Sequence, residues 1–250
     1  MEAQVLDLPR PARSNVQLRI YLLGEVDLDA AACLQRRLVY EVSGDRNQAA
    51  LILCEHPPTV SIGREGSSTH IQLDGRELYW RRMTVRWVNR GGGCLLHMPG
   101  QLAIYPILPL NRLRLSVPAY MQRLQQVAID VADDFMLRAD HRTNKPGVWM
   151  GNRLLAHVGI AVRDWVSYFG LSLNVNVDLD LFRKVNVAGH TQAMTSIERE
   201  RRLAVNPELV RQRVLEHLLE RFGFEKPTLY HHHPALAGRG SADALVAPGA

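Results

Sequence analysis

The chain has 250 residues, 46% of them hydrophobic and 22% charged, a composition that supports a full core and excludes extensive disorder. Lys and Arg number 30 against 25 Asp and Glu, a formal charge of +5. That balance is mildly basic, and no zinc-finger spacing, basic zipper or aromatic RNA-binding motif accompanies it, so nucleic acid is not an expected partner.

Three widely separated cysteines, Cys33, Cys54 and Cys94, do not resemble a disulfide framework and fit a reducing cytoplasm. The N-terminal stretch has no signal-peptide core, and no apolar run approaches the ~18 residues of a membrane span. The reading is one domain over 17–230, between a flexible N-terminus (1–16) and a tail rich in His, Ala, Gly and Pro (231–250), expected to be loose. Consecutive His231, His232 and His233 in that tail have poor metal-binding geometry and no completing Cys or carboxylate.

"VDLDAAACLQRRLVYEVSG" predicts a helix capped by Asp27 or Asp29, with Ala32, Leu34, Leu38 and Val39 at helical spacing. "AALILCEHPPTVSIG" reads as two strands joined by a stiff Pro57-Pro58 corner. "MTVRWVNRGGG" alternates Val85 and Trp87 against Arg86 and Val88 and stops at Gly91, Gly92 and Gly93. "CLLH" and "LAIYPIL" are further strands around the Pro-Gly turn in "MPGQ". Arg81, Arg82, Arg86 and Arg90, and again Arg199, Arg201 and Arg202, suggest local positive faces.

From Pro118 to Leu137, Tyr120, Leu124, Val127 or Ala128, Val131 and Phe135 form one apolar stripe, the mark of an amphipathic helix. A hairpin around Gly151-Asn152 and another strand pair follow. A last helix starts at Asn206-Pro207 and ends at Gly223. Helix, strands, helix, strands, helix is an α+β order, a mixed β-sheet flanked by helices.

A glycine triplet closing a strand lets backbone N–H groups approach a ligand, or simply makes a tight turn. No Walker motif or dinucleotide fingerprint accompanies it, and neither H-E-x-x-H nor G-x-S-x-G occurs. His97 is either a satisfied core histidine or a site residue. Cys94 reads first as a small buried hydrophobe.

Four stretches, "LCEHPPTVSIGR", "RGGGCLLHMPGQLAIYPIL", "GVWMGNRLLAHVGIAVRDWVSYFGLSLNV" and "DLDLFRKVNVAGHTQAMTSI", together resemble the octanoyltransferases of lipoate biosynthesis. The resemblance covers about residues 20 to 225 and implies a biotin/lipoate protein ligase-like fold without a cofactor. It also implies a monomer that transfers octanoyl from acyl carrier protein to a lipoyl-domain lysine through a thioester. On this likeness Arg90, Gly91, Gly92, Gly93, His97, Gly100, Gln101, Ala156, Val158, Gly159, Phe169, Gly170 and Gly189 line the substrate site.

The chain departs from the family pattern at its reactive positions. The nucleophilic cysteine of F-x-x-I-x-P-C-G is Ala188 here, the lysine of K-I-A-x-I-G is Leu154, and Phe169 stands where the "HG" dipeptide has histidine. Arg153 is a poor substitute for that lysine, because successive strand residues face opposite ways and a guanidinium is not a usable proton shuttle near neutral pH. Three readings follow: a degenerate transferase that binds acyl groups, carrier or lipoyl domain; a transferase whose nucleophile has moved to Cys94; and an ATP-dependent lipoate or biotin ligase, suggested by the third glycine.

Overall fold

The computed structural model describes residues 14–142, 145–185 and 193–236. Strand β1 (Gln17–Glu25) leads into helix α1 (Leu28–Gly44), which Asp27 caps by accepting from the amides of Asp29 and Ala30. Strand β2 (Gln48–Glu55) then returns parallel to β1. The prolines at 57 and 58 turn the chain into β3 (Thr59–Ile62), the start of a second, smaller sheet.

Helix α2 (Gly75–Trp80) is a short turn held by a reciprocal Asp74–Glu77 capping box. Strands β4 (Thr84–Trp87) and β5 (Cys94–His97) flank β3 to give the order β4-β3-β5. The chain crosses to the large sheet with β6 (Gln101–Ile107), then forms α3 (Val117–Asp134), capped by Ser116 with Pro118 in its first turn.

Strands β7 (Asp140–Arg142), β8 (Lys145–Met150), β9 (Arg153–Arg163) and β10 (Val166–Asn174) follow, with the expected hairpin turning at Gly151-Asn152. Short pieces α4 (Leu179–Phe182), β11 (Ala193–Met194) and α5 (Ile197–Arg201) precede α6 (Pro207–Phe222), which Asn206 caps and Gly223 ends at φ +74°. Strand β12 (Thr228–Tyr230) closes the large sheet, whose order is β12-β1-β2-β6-β10-β9-β8-β7, with β11 beside β9.

The layers follow from which face each strand residue presents. Leu51, Leu53, Ile104, Leu171 and Leu173 pack against α3 and α6 through Tyr120, Leu124, Val214 and Leu218. Ile52, Tyr105 and Phe169 meet α1 through Leu34, Leu38 and Val42 on the other face. A third core joins Val60, Ile62, Cys94 and Leu96 of the small sheet to Leu181 and Phe182 of α4. Among the described residues no helix is long and apolar enough to cross a membrane.

The fold differs from the sequence expectation in four places. β1 opens the chain ahead of the expected first helix; its burial does not alternate regularly, because it is covered on both faces for part of its length. The small sheet separates from the large one because the Pro57-Pro58 corner redirects β3. The packed chain continues past 230: His233 sets its ring edge-on to Tyr21 at 5.0 Å, and Ala235 and Leu236 pack near α1. Arg90 leaves the basic face, being 3% exposed, while Arg86 pairs with Asp29 at 2.5 Å and Arg201 lies over the Phe135 ring.

Candidate active site

Between the two sheets, on the α1 side of the large one, a small cavity brings together residues from distant parts of the chain. Ser61 comes from β3, Leu95 and His97 from β5, Arg90 from the glycine turn, Tyr105 from β6, His157 and Gly159 from β9, and Phe169, Gly170 and Ser172 from β10. Leu28 at the start of α1 and Val88 complete the wall.

The glycine turn joins the sheets, and its glycines are demanded by close approach. Gly91 donates to Ile160 O at 2.9 Å and Gly92 to Glu65 Oε1 at 3.2 Å. The turn's carbonyls accept from the amides of Gly63, Arg64 and Glu65. Gly92 has φ +78°, and a Cβ there would lie 2.9 Å from His157 Nε2. A Cβ on Gly159 would lie 2.8 Å from Gly91 O, and one on Gly170 only 2.3 Å from Ile104 O. The Gly91 and Gly92 N–H groups therefore hold protein partners.

Arg90 is the centre of a buried polar chain. Its guanidinium donates to Gly91 O at 3.0 Å, Ser61 O at 3.0 Å and Ser61 Oγ at 2.7 Å, and it has no carboxylate ion pair among the described residues. Burial lowers its pKa to about 10, so it stays charged near neutral pH. Ser61 Oγ in turn donates to His97 Nε2 at 2.8 Å, and His97 Nδ1 donates to Gln101 Oε1 at 3.0 Å. Gln101 Nε2 passes the chain to Asn174 Oδ1 at 3.0 Å, and Asn174 Nδ2 ends it on Thr195 O at 2.9 Å.

Two more histidines flank this chain. His56 donates from Nδ1 to Val26 O at 2.6 Å and accepts from the Tyr105 hydroxyl at 2.8 Å. His157 Nε2 is buried without a hydrogen-bond partner among the described residues. Burial holds all three rings neutral: it lowers His56, places His97 well below its ordinary value with help from His56 and Arg90, and takes His157 to about 3.

The cavity has a volume of about 10 Å³, room for one water and far below the ~300 Å³ at which small-molecule sites begin. Phe169 occupies much of the rest. Its ring packs edge-on to Tyr105 at 6.0 Å, and its amide donates to Gln35 Oε1 at 2.6 Å. Its backbone sits at φ +54°, an unusual conformation for a bulky residue. The polar constellation is intact, and an aromatic ring fills the space beside it.

Of the expected site residues, Arg90, His97, Gly159, Phe169 and Gly170 line the cavity, while Gly91, Gly92 and Gln101 support it from behind. Gly93 bonds Gly63 through its carbonyl, and Gly100 shapes the β5–β6 corner at φ +84°. Ala156 and Val158 turn the other way, into the core under α3 and α6, because strand alternation gives the cavity His157 and Gly159 instead. Missed by the sequence reading were His157, Ser61 and Tyr105; the same alternation through Gly159 points to His157. Gly189 and Ala188 lie outside the described residues.

Leu154 is 1% exposed and packs with Trp149 and Met194. Arg153 points outward to Glu200, bonded at 2.7 and 2.9 Å. Cys94 faces the third core: its thiol donates to Ser67 O at 3.2 Å, its pKa is raised by burial, and Leu95 and His97 take the cavity side of the strand.

The model of the lipoyl protein ligase A/B catalytic domain matches residues 27–219. An octanoyltransferase of Desulfotalea psychrophila is 34% identical over 205 residues, 80% of this chain and 92% of the relative. One from Geotalea uraniireducens is 36% identical over 184 residues, 73% and 83% of the two chains. The chain belongs to the octanoyltransferase family. Solved structures agree on the fold: a lipoate-protein ligase A bound with ATP superposes with TM-score 0.70 at 15% identity over 87% of this chain and 89% of its own. A bi-partite lipoate protein ligase from Thermoplasma acidophilum gives 0.68 at 14% identity over 87% of each chain. The sequence relatives thus lie among octanoyltransferases, while the ligases share the architecture. Three lysines occur in the whole sequence, Lys145, Lys184 and Lys226, and neither Lys184, paired with Glu77 at the surface, nor exposed Lys226 is at the cavity.

Proposed function

We propose that this protein is a non-transferring member of the octanoyltransferase family, one that engages the acyl carrier protein or lipoyl domain without carrying the acyl group on a thioester. The buried packing of Leu154 against Trp149 and Met194, with Arg153 drawn outward to Glu200, carries this reading. Thioester attack needs a thiolate and a basic group to manage the incoming amine's proton. Ala188 at the family's nucleophile position supplies no thiol, and Leu154 supplies no amine. Losing a covalent nucleophile typically removes ~10⁴-fold or more of rate. Apolar residues there avoid the cost of burying an ammonium without a partner. The closed cavity supports recognition of the protein partner over storage of an eight-carbon chain. Three unpaired cysteines support a cytoplasmic location, and the protein acts as a monomer.

The test mixes the purified protein with octanoyl acyl carrier protein and a lipoyl domain. Mass spectrometry follows octanoylation and hydroxylamine-sensitive adducts, calorimetry follows complex formation, and an active relative serves as positive control. The expected result is a complex with carrier or lipoyl domain and no adduct. An acyl-enzyme, octanoylated lipoyl domain, or failure to bind either protein overturns the reading.

A further inference from the structure

A second space opens on the outer side of Phe169. This cleft, about 580 Å³ in volume, lies within the range of small-molecule sites, whereas the inner cavity holds about 10 Å³. Val88 and Phe169 line both, so these two side chains are the partition between them. Val39 from α1 and Trp87, 69% exposed at the end of β4, extend the apolar lining.

The charges of the cleft are one-sided. Arg36 from α1 and Arg163 from the end of β9 both line it. Arg36 has no ion pair among the described residues, and Arg163 meets only Asp164 at 3.7 Å, with both side chains largely exposed, a contact of little worth in water. The acidic lining residue, Asp29, is already neutralised by Arg86 at 2.5 Å. Asn89 donates to the Tyr168 hydroxyl at 3.0 Å, so the polar neighbours are engaged with each other and two guanidiniums are left to meet a ligand.

We propose that this cleft binds an amphipathic anion, an aliphatic chain carrying a carboxylate or phosphate head. The chain lies against Val39, Val88, Trp87 and Phe169, and the head meets Arg36 and Arg163, whose forked donors suit either oxyanion. A nucleotide fits less well, because the residues lining the cleft include no glycine whose N–H could cradle its phosphate, and Asn89 and Tyr168, which could meet a base, are bonded to each other. The site does not depend on the protein's capacity for acyl transfer.

Calorimetry on the full chain with octyl phosphate, octanoate and AMP tests it. Octyl phosphate and octanoate bind saturably, more weakly as salt rises, and AMP binds at least tenfold more weakly. The R36E/R163E double variant loses at least tenfold in affinity, about 1.4 kcal/mol. A32W, which fills the cleft from a half-buried position on α1, loses as much. R81E/R82E, the same charge change elsewhere on the surface, retains binding. Thermal midpoints of all variants are measured alongside. Absence of saturable binding by the parent, equal loss in R81E/R82E, or equal affinity for AMP overturns the proposal.

Discussion

Arg153 and Glu200 form a two-point ion pair, Nε to Oε1 at 2.7 Å and Nη2 to Oε2 at 2.9 Å, on the outer side of β9. Glu200 also accepts from Thr195 Oγ1 at 2.5 Å. The pair ties the start of β9 to α5 and directs the Arg153 guanidinium away from the interior. Leu154→Lys places an ammonium in the apolar packing of Trp149 and Met194. The variant is expected to lose on the order of 3 kcal/mol of stability and to gain no transfer activity. Denaturant unfolding and the acyl-transfer assay check the two halves.

Arg90 satisfies the Ser61 carbonyl and hydroxyl from inside the protein. Arg90→Ala leaves those acceptors without their charged donor and opens a void, at a cost of about 2–4 kcal/mol. Arg90→Lys keeps the charge but cannot reproduce the forked bonds, so it recovers less than half of that loss. Chemical denaturation of the two variants measures the difference.

The buried histidines make stability fall on the acid side. His56, His97 and His157 have pKa values below the ordinary imidazole value in the folded protein, His157 at about 3. Below pH ~6.5 the unfolded chain takes up protons that the folded chain refuses. Stability is full above that pH and declines toward pH 3 by up to about 1.4 kcal/mol per pH unit for each histidine. His157→Gln removes one contribution, so the drop in Tm between pH 7 and 5 is smaller in the variant than in the parent.

Glycine substitutions separate close approach from mere turn-making. Gly92→Ala meets both a positive φ and the His157 ring 2.9 Å away, and is expected to cost more than ~1 kcal/mol. Gly75→Ala, with nothing within 4 Å of the new Cβ, changes stability by less than about 1 kcal/mol. Thermal unfolding of the pair checks the contrast.

The periodic elements were legible from local pattern. The caps at Asp27 and Asn206, the stripe from Tyr120 to Val131, the Pro57-Pro58 corner and the Gly151-Asn152 hairpin all occur as read, because capping and periodicity act within a few residues of chain. Strand β1, the six-residue α2 and the three-residue β12 were not, since such short or doubly covered segments carry little periodic signal. At the site, Cys94 reads as a small buried hydrophobe and packs as one in the third core, but naming the family motif whole brought Ala156 and Val158 along with Gly159 and left out His157.

By itself, then, the sequence determined the fold family and the glycine turn, and it put Ala188 and Leu154 where the resemblance expects a cysteine and a lysine, all properties of residue identity along the chain. Tertiary structure decided that Arg90 is a buried cation without a carboxylate ion pair among the described residues, that Arg153 turns outward, and that Phe169 divides a one-water cavity from an open cationic cleft. Those depend on which faces two sheets and α1 present to each other, and that is set by contacts between residues 29, 47 and 134 positions apart, beyond the reach of any local pattern.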